Sequence, residues 1–140
     1  MSAPLPGFVY FDPYFKFHDG GSSPKLFVVL CDSEMDEELS LITTTTSQPK
    51  NSTAYGCELE NYPPCFFLPN NDSELDKDTW ITLHELYEYS QKNLEKMKKI
   101  ASLSFDQTID LLNCGAQSLY LANWQTSSMR REAEQLSKVK

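Results

Sequence analysis

The run "KLFVVLC", residues 25–31, restricts the fold more than any other stretch of the chain. Six of its seven residues are apolar, two are adjacent valines, and it is bounded by Ser-Ser-Pro before and Asp-Ser after, which is the pattern of a continuous buried strand. A buried strand needs partners. "EELSLITTTT" (37–46) follows the acidic turn "DSEMDE", and its Leu39, Leu41, Thr43 alternation suits a half-buried neighbour, so the two segments read as an antiparallel hairpin with a solvated acidic tip. "GFVYF" (7–11) supplies a third strand, expected to end regular pairing at Asp12-Pro13.

Between the first two strands, "YFKFHDGGSSP" (14–24) has the Gly-Gly, Ser and Pro content of a mobile surface loop carrying Lys16 and His18. Residues 47–80 mix short apolar runs with dense turn residues, including a rigid Pro63-Pro64 turn, and predict one or two short strands. After residue 80 the period changes. "TLHE" (82–85) has the Thr-x-x-Glu form of a capping box, and Leu83, Leu86, Tyr87, Leu94, Met97 and Ile100 recur at helical spacing, predicting a long helix over 82–101. Its "KMKK" cluster (96–99) then reads as a solvated helix end, and His84 falls in the first turn. "SFDQ" (104–107) caps a short helix that Gly115 stops in a left-handed conformation, and the tail from 116 supplies a further helix with little apolar face beyond Trp124. One domain over 1–140 is expected, mainly β to residue 81 and mainly α from 82.

A chain of 140 residues can bury roughly two thirds of its unfolded surface, and 40% hydrophobic content excludes a disordered polymer. No window approaches eighteen uninterrupted apolar residues, and the N-terminus lacks a basic flank with an apolar stretch, so no membrane span and a cytoplasmic location are expected. Cys31, Cys57, Cys65 and Cys114 have no CxxC spacing, which argues for reduced thiols rather than a zinc site or disulfides. The net charge of −8 repels polyanions in bulk, so any nucleic-acid role requires a local basic site.

The segment "YFDPYFKFHDGGSSPKLFVVL…LSLITTTTSQ" resembles the MazF/PemK family of toxin–antitoxin ribonucleases, whose first half reads as a strand, Phe-Asp-Pro, a loop, Arg-Pro-x-Val-Val-Leu-Ser, then a strand ending in Thr-Thr. The likeness covers residues 7–48; "KDTWITL" and "LSFDQTIDLL" match only in layout. It implies an α+β fold, a small antiparallel SH3-like β-barrel with two or three C-terminal helices. It also implies a homodimer and an antitoxin partner, with cleavage of single-stranded RNA that needs neither metal nor cofactor. Lys25 stands where the family usually has its catalytic arginine, and Thr45 stands near its catalytic threonine, with Thr44 and Thr46 within alignment error.

Metal-free RNA cleavage requires a base, a charge stabiliser for the phosphorane and an acid. Lys25 offers a point charge without arginine's planar fork, Thr45 a hydroxyl, and His18 an imidazole suited to acid–base work. Lys16, Tyr14, Phe17, Thr44 and Thr46 are the accompanying RNA-binding candidates, because unpaired bases are gripped by aromatic stacking and phosphates by cations. Phe11 is assigned to the core. Each residue has a plainer reading: an incidental loop histidine, a solvated strand-edge lysine, threonines chosen for strand propensity. Cys31, beside Asp32, lacks a cation to make it a nucleophile. Two further readings keep the barrel without the chemistry. One is a protein-binding module, as in the CcdB toxins, with Trp124 as an interface anchor or merely the docking residue of its helix; the other is an inactive accessory protein.

Overall fold

The structure, a computed structural model, describes residues 4–48, 54–70 and 74–139. Among these residues the chain forms one antiparallel sheet of eight strands and three helices, an α+β architecture. The strands are β1 (Phe8–Lys16), β2 (Ser22–Asp32), β3 (Leu39–Thr46), β4 (Gly56–Glu58), β5 (Cys65–Leu68), β6 (Thr79–Thr82), β7 (Tyr87–Ser90) and β8 (Lys99–Ser102). The helices are α1 (Gln91–Lys96), α2 (Phe105–Gly115) and α3 (Asn123–Val139). The strand path runs β4-β5-β6-β3-β2-β1-β8 with β7 also on β3, and its two ends are not paired to each other. The sheet is therefore open, where the resemblance implies a closed barrel. No helix among the described residues is long and apolar enough to cross a membrane.

Strand β2 explains why 25–31 is apolar without alternation. Val28 and Leu30 enter one core with Val9, Leu41, Phe66, Ile81, Leu111, Leu112 and Met129, while Phe27 and Val29 enter a second with Tyr10, Phe15, Ile42, Tyr87 and Leu94. Both faces are covered, so each of these side chains contributes on the order of 2 kcal/mol of burial. The hairpin of β2 and β3 forms as the pattern predicts, with Phe27 opposite Thr44 and Val28 opposite Thr43. β3 then pairs along its other edge with two strands: Leu39–Ile42 meet β7, and Thr45 and Thr46 meet β6. The threonine run thus lies where the sheet divides.

The long helix predicted over 82–101 does not form. Thr82 ends β6, where its hydroxyl donates to the Thr44 carbonyl at 3.1 Å, and the Thr43 hydroxyl donates to the Thr82 carbonyl, so the residue read as a cap is committed to the sheet. Tyr87-Glu88-Tyr89-Ser90 alternates and pairs with β3 as β7. The true cap is Ser90, which accepts from the Asn93 N–H and opens only six residues of α1 before β8 follows. His84 therefore lies in the β6–β7 connection, not in a helix.

The mobile loop read over 14–24 is also mostly strand. β1 continues through Asp12-Pro13 with a register shift, and the turn is closed by Phe17 N–H to Gly21 O at 2.8 Å, with Gly20 at φ +92°. Downstream, Ser104 and Gln107 form the expected reciprocal capping box on α2. Gly115 is not the left-handed stop predicted for it; α2 continues to it, and the missing side chain leaves room for the Met129 thioether of α3. α3 is anchored by Met129 and Ala133, with Trp124 packed against the same core. Cys57 and Cys114 form a disulfide, which overturns the expectation of four reduced thiols; Cys31 and Cys65 are buried and outside the disulfide.

Candidate functional site

A cleft of about 560 Å³ opens where the ends of β2 and β3 meet the segment leading into β6. Lys25, Thr45 and Thr46 line it, together with Phe11, Gln48 and Lys77 among others. The hairpin register brings the first three together, since Phe27 opposite Thr44 sets residues 25–26 beside 45–46.

Lys25 is half-buried, and its ammonium donates to the Thr45 carbonyl at 3.4 Å, a long contact that leaves donors to spare. Asp12 is its cross-strand partner, yet both Asp12 carboxylate oxygens are occupied: Oδ1 accepts from the Tyr14 N–H at 2.8 Å and Oδ2 from the Tyr89 hydroxyl at 2.7 Å. Burial first, and then the Asp12 bond, push the Tyr89 phenol far above its ordinary range, so it remains a donor. Among the described residues Lys25 makes no salt bridge. A cation whose nearest strand partner is otherwise engaged is available to an anion.

The two threonines differ. Thr45 is buried and donates its hydroxyl to the Leu26 carbonyl at 3.2 Å, which spends its only proton on the fold. Thr46 Oγ1 accepts from the Gln48 N–H at 3.0 Å and keeps its own proton for a ligand. Thr44 is not in the cleft; its hydroxyl faces that of Thr82 at 3.4 Å.

His18 is not in the cleft either. Its Nε2 donates to the Leu86 carbonyl at 2.8 Å and its ring stacks on Tyr87 at 4.0 Å, on the side of the second core. The tight turn at 17–21 and the bond to Leu86 set it on that side of the sheet, not beside Lys25. Phe17 packs edge-on to Phe15 at 5.4 Å, and neither Lys16 nor Tyr14, 80% exposed, lines the cleft. Cys31 is pushed up to about 12 by burial, then by Glu132, Asp32 and Glu34, and is no nucleophile.

Sequence reasoning missed most of the cleft lining, including four residues that bear on its chemistry. Phe11, assigned to the core, is 43% exposed on the cleft wall. Gln48, Asp76 and Lys77 also line it. Gln48 follows directly on the threonine run and was within reach of that motif, whereas residues 76 and 77 arrive from a distant segment with no local signal. The first residues of the acidic run 71–78 lie outside the described residues.

No protein-family model matches the chain, and no curated protein matches it at a significant level.

Proposed function

We propose that this chain is a toxin-like, metal-independent endoribonuclease that cleaves single-stranded RNA, works as a homodimer on a sheet of SH3-like kind, and is restrained by an antitoxin protein. The observation that carries the reading is the Lys25 ammonium, free of any ion pair among the described residues and set beside Thr46 and Lys77 in one cleft. In a chain of net charge −8 such a site is what phosphodiester binding requires. The family resemblance of residues 7–48 supports the choice of RNA.

In this reading Lys25 neutralises the scissile phosphate and the more highly charged phosphorane, and Thr46 donates to a non-bridging oxygen. The substrate's 2′-oxygen attacks phosphorus as its proton passes to the Asp76 carboxylate. The bond from phosphorus to the 5′-oxygen breaks, and that oxygen takes a proton from the Lys77 ammonium. The products are a 2′,3′-cyclic phosphate and a 5′-hydroxyl, and solvent resets both side chains. His18 has no part in it.

Purified protein should cut an unstructured RNA in the presence of chelator and leave cyclic phosphate ends. Lys25→Ala should lower the rate by about a hundredfold or more, the usual cost of removing a charge-stabilising donor, and Lys25→Arg should retain activity. Equal cleavage by the alanine variant would refute the assignment.

A second reading, a protein-binding module without chemistry, is favoured by a separate surface. Leu119 is 97% exposed beside Tyr120 and Tyr62, whose rings meet at 5.2 Å, next to a cleft of about 460 Å³. If the wild type leaves RNA intact while Leu119→Asp abolishes growth arrest on expression, this second reading holds.

A further inference from the structure

A second cleft, of about 450 Å³, shares Phe11 with the first. It is lined by Tyr89 of β7, by Asn93 and Lys96 of α1, and by Met97 and Lys98 immediately after that helix. The "KMKK" cluster therefore does not cap a long helix. α1 stops at Lys96, Met97 turns to extended backbone at ψ 154°, and Lys96 and Lys98 both come to the cleft.

We propose that the two clefts form one track for single-stranded RNA, with Phe11 as a stacking platform between a phosphate site at Lys25 and Lys77 and a second at Lys96 and Lys98. The proposal rests on the reading of the first cleft as a phosphodiester site and extends it by a further subsite. Three observations carry it.

The first is the placing of charge. Four of the chain's twelve cationic side chains line two clefts that have a residue in common, although the net charge is −8. None of the four is in a salt bridge among the described residues, whereas two other cations are committed: Lys99 lies over the Phe8 ring at 4.4 Å and Arg131 pairs with Glu34 at 2.7 Å. The second is the state of the carboxylate on the second cleft, the first cleft holding Asp76, which the proposed chemistry uses. Asp12 lines the second cleft, but its two oxygens are held by Tyr14 N–H and the Tyr89 hydroxyl, so its repulsion of a phosphate is tempered. The third is Phe11 itself, a large ring left 43% exposed at the boundary of two cationic clefts. An aromatic face between phosphate sites suits an unstacked base and is useless to a duplex, whose bases are already stacked.

The test is binding of the full chain to labelled, unstructured 2′-O-methyl oligoribonucleotides, three and eight nucleotides long, read by fluorescence anisotropy across a salt series. The 2′-O-methyl group removes the nucleophile, so binding is read without cleavage. The octamer should bind at least about tenfold tighter than the trimer, through the extra phosphates and the stacked base. Lys96→Gln with Lys98→Gln should bring the octamer down to the affinity of the trimer and reduce its salt slope by about 1.4, two single-strand phosphate contacts. Phe11→Ala should weaken the octamer roughly fivefold or more, and Phe11→Trp should restore it, which separates stacking from a folding defect.

Equal affinity for trimer and octamer, or an octamer indifferent to the double lysine change, overturns the track. So does equal binding of an eight-base-pair duplex, or of a polyglutamate peptide with the same dependence on Lys96 and Lys98, which would mark a protein partner. In these cases the first cleft's reading still stands if Lys25→Ala abolishes trimer binding. If the wild type binds neither oligonucleotide, that reading fails and the track with it.

Discussion

Glu132 of α3 is a half-buried carboxylate whose pKa is raised from 4.5, first by burial and then by Asp32 nearby. Its consequence is a pH-dependent cost. Below 4.5 the folded and unfolded chains both hold the proton, so the residue is neutral in each. Above it the unfolded chain ionises first while the folded chain keeps its proton, so the native state binds more protons and stability falls as pH rises, until the raised folded value is passed. Glu132→Gln removes that cost. The variant should melt higher than the wild type at pH 7 and at the same temperature near pH 4, as followed by circular dichroism. An equal gain at both pH values would mean that shape, not charge, is responsible. The same carboxylate also helps keep the Cys31 thiol protonated, so residues 31, 32 and 132 form a locally acidic corner remote from the chemistry proposed for the lysine clefts.

Between elements, Gly7 is the junction. At φ +90° it donates to the Val29 carbonyl at 2.8 Å and accepts from the Leu103 N–H at 2.9 Å, joining the sheet to the start of α2. A Cβ there would run into the Thr108 hydroxyl, which donates to Ser104 inside the capped turn. Gly7→Ala therefore meets both a backbone and a packing penalty and should cost about 2 kcal/mol or more in urea unfolding. Adding Thr108→Ala should recover part of the loss; no recovery would assign all of it to the backbone. Nothing in the sequence announced this junction, and the reason is general for this chain. Local patterns were readable where one segment decides its own structure: the β2–β3 hairpin, the Ser104 cap, the apolar run of β2. They failed where tertiary pairing decides. Thr82 and Glu85 satisfy the arithmetic of a capping box, yet Thr82 finds a better partner in β3, and the apolar residues of 83–100 serve two strands and a short helix instead of one long face. The site follows the same rule. Lys25 and Thr46 were legible because one hairpin carries both, while Lys77, Phe11, Lys96 and Lys98 meet them only through the folding of separate elements.

Across the whole molecule, the open sheet leaves β4 as a three-residue edge strand, too short to hold by its own pairing with β5. Two bonds to α2 hold it from the other side. Tyr55 donates to Asp110 Oδ2 at 2.8 Å, and the Cys57–Cys114 disulfide ties residues 57 positions apart, closing the β4-to-α2 half of the chain into one loop. Such a closure acts mainly on the unfolded chain, removing conformations that it would otherwise gain, and for a loop of 57 residues this is worth about 4 kcal/mol. Because α2 packs on α3 and the sheet through Leu111, Leu112 and Met129, the fold itself does not depend on the crosslink. Cys57→Ser with Cys114→Ser should therefore keep the native far-ultraviolet spectrum in buffer, lose about 4 kcal/mol in urea unfolding, and show faster amide exchange in β4 than in β2. A loss under about 1 kcal/mol would mean that the unfolded chain is already compact across this loop. A loss of the native spectrum in buffer would mean that the edge strand, not the double-sided core around β2, is what the remaining sheet is built on.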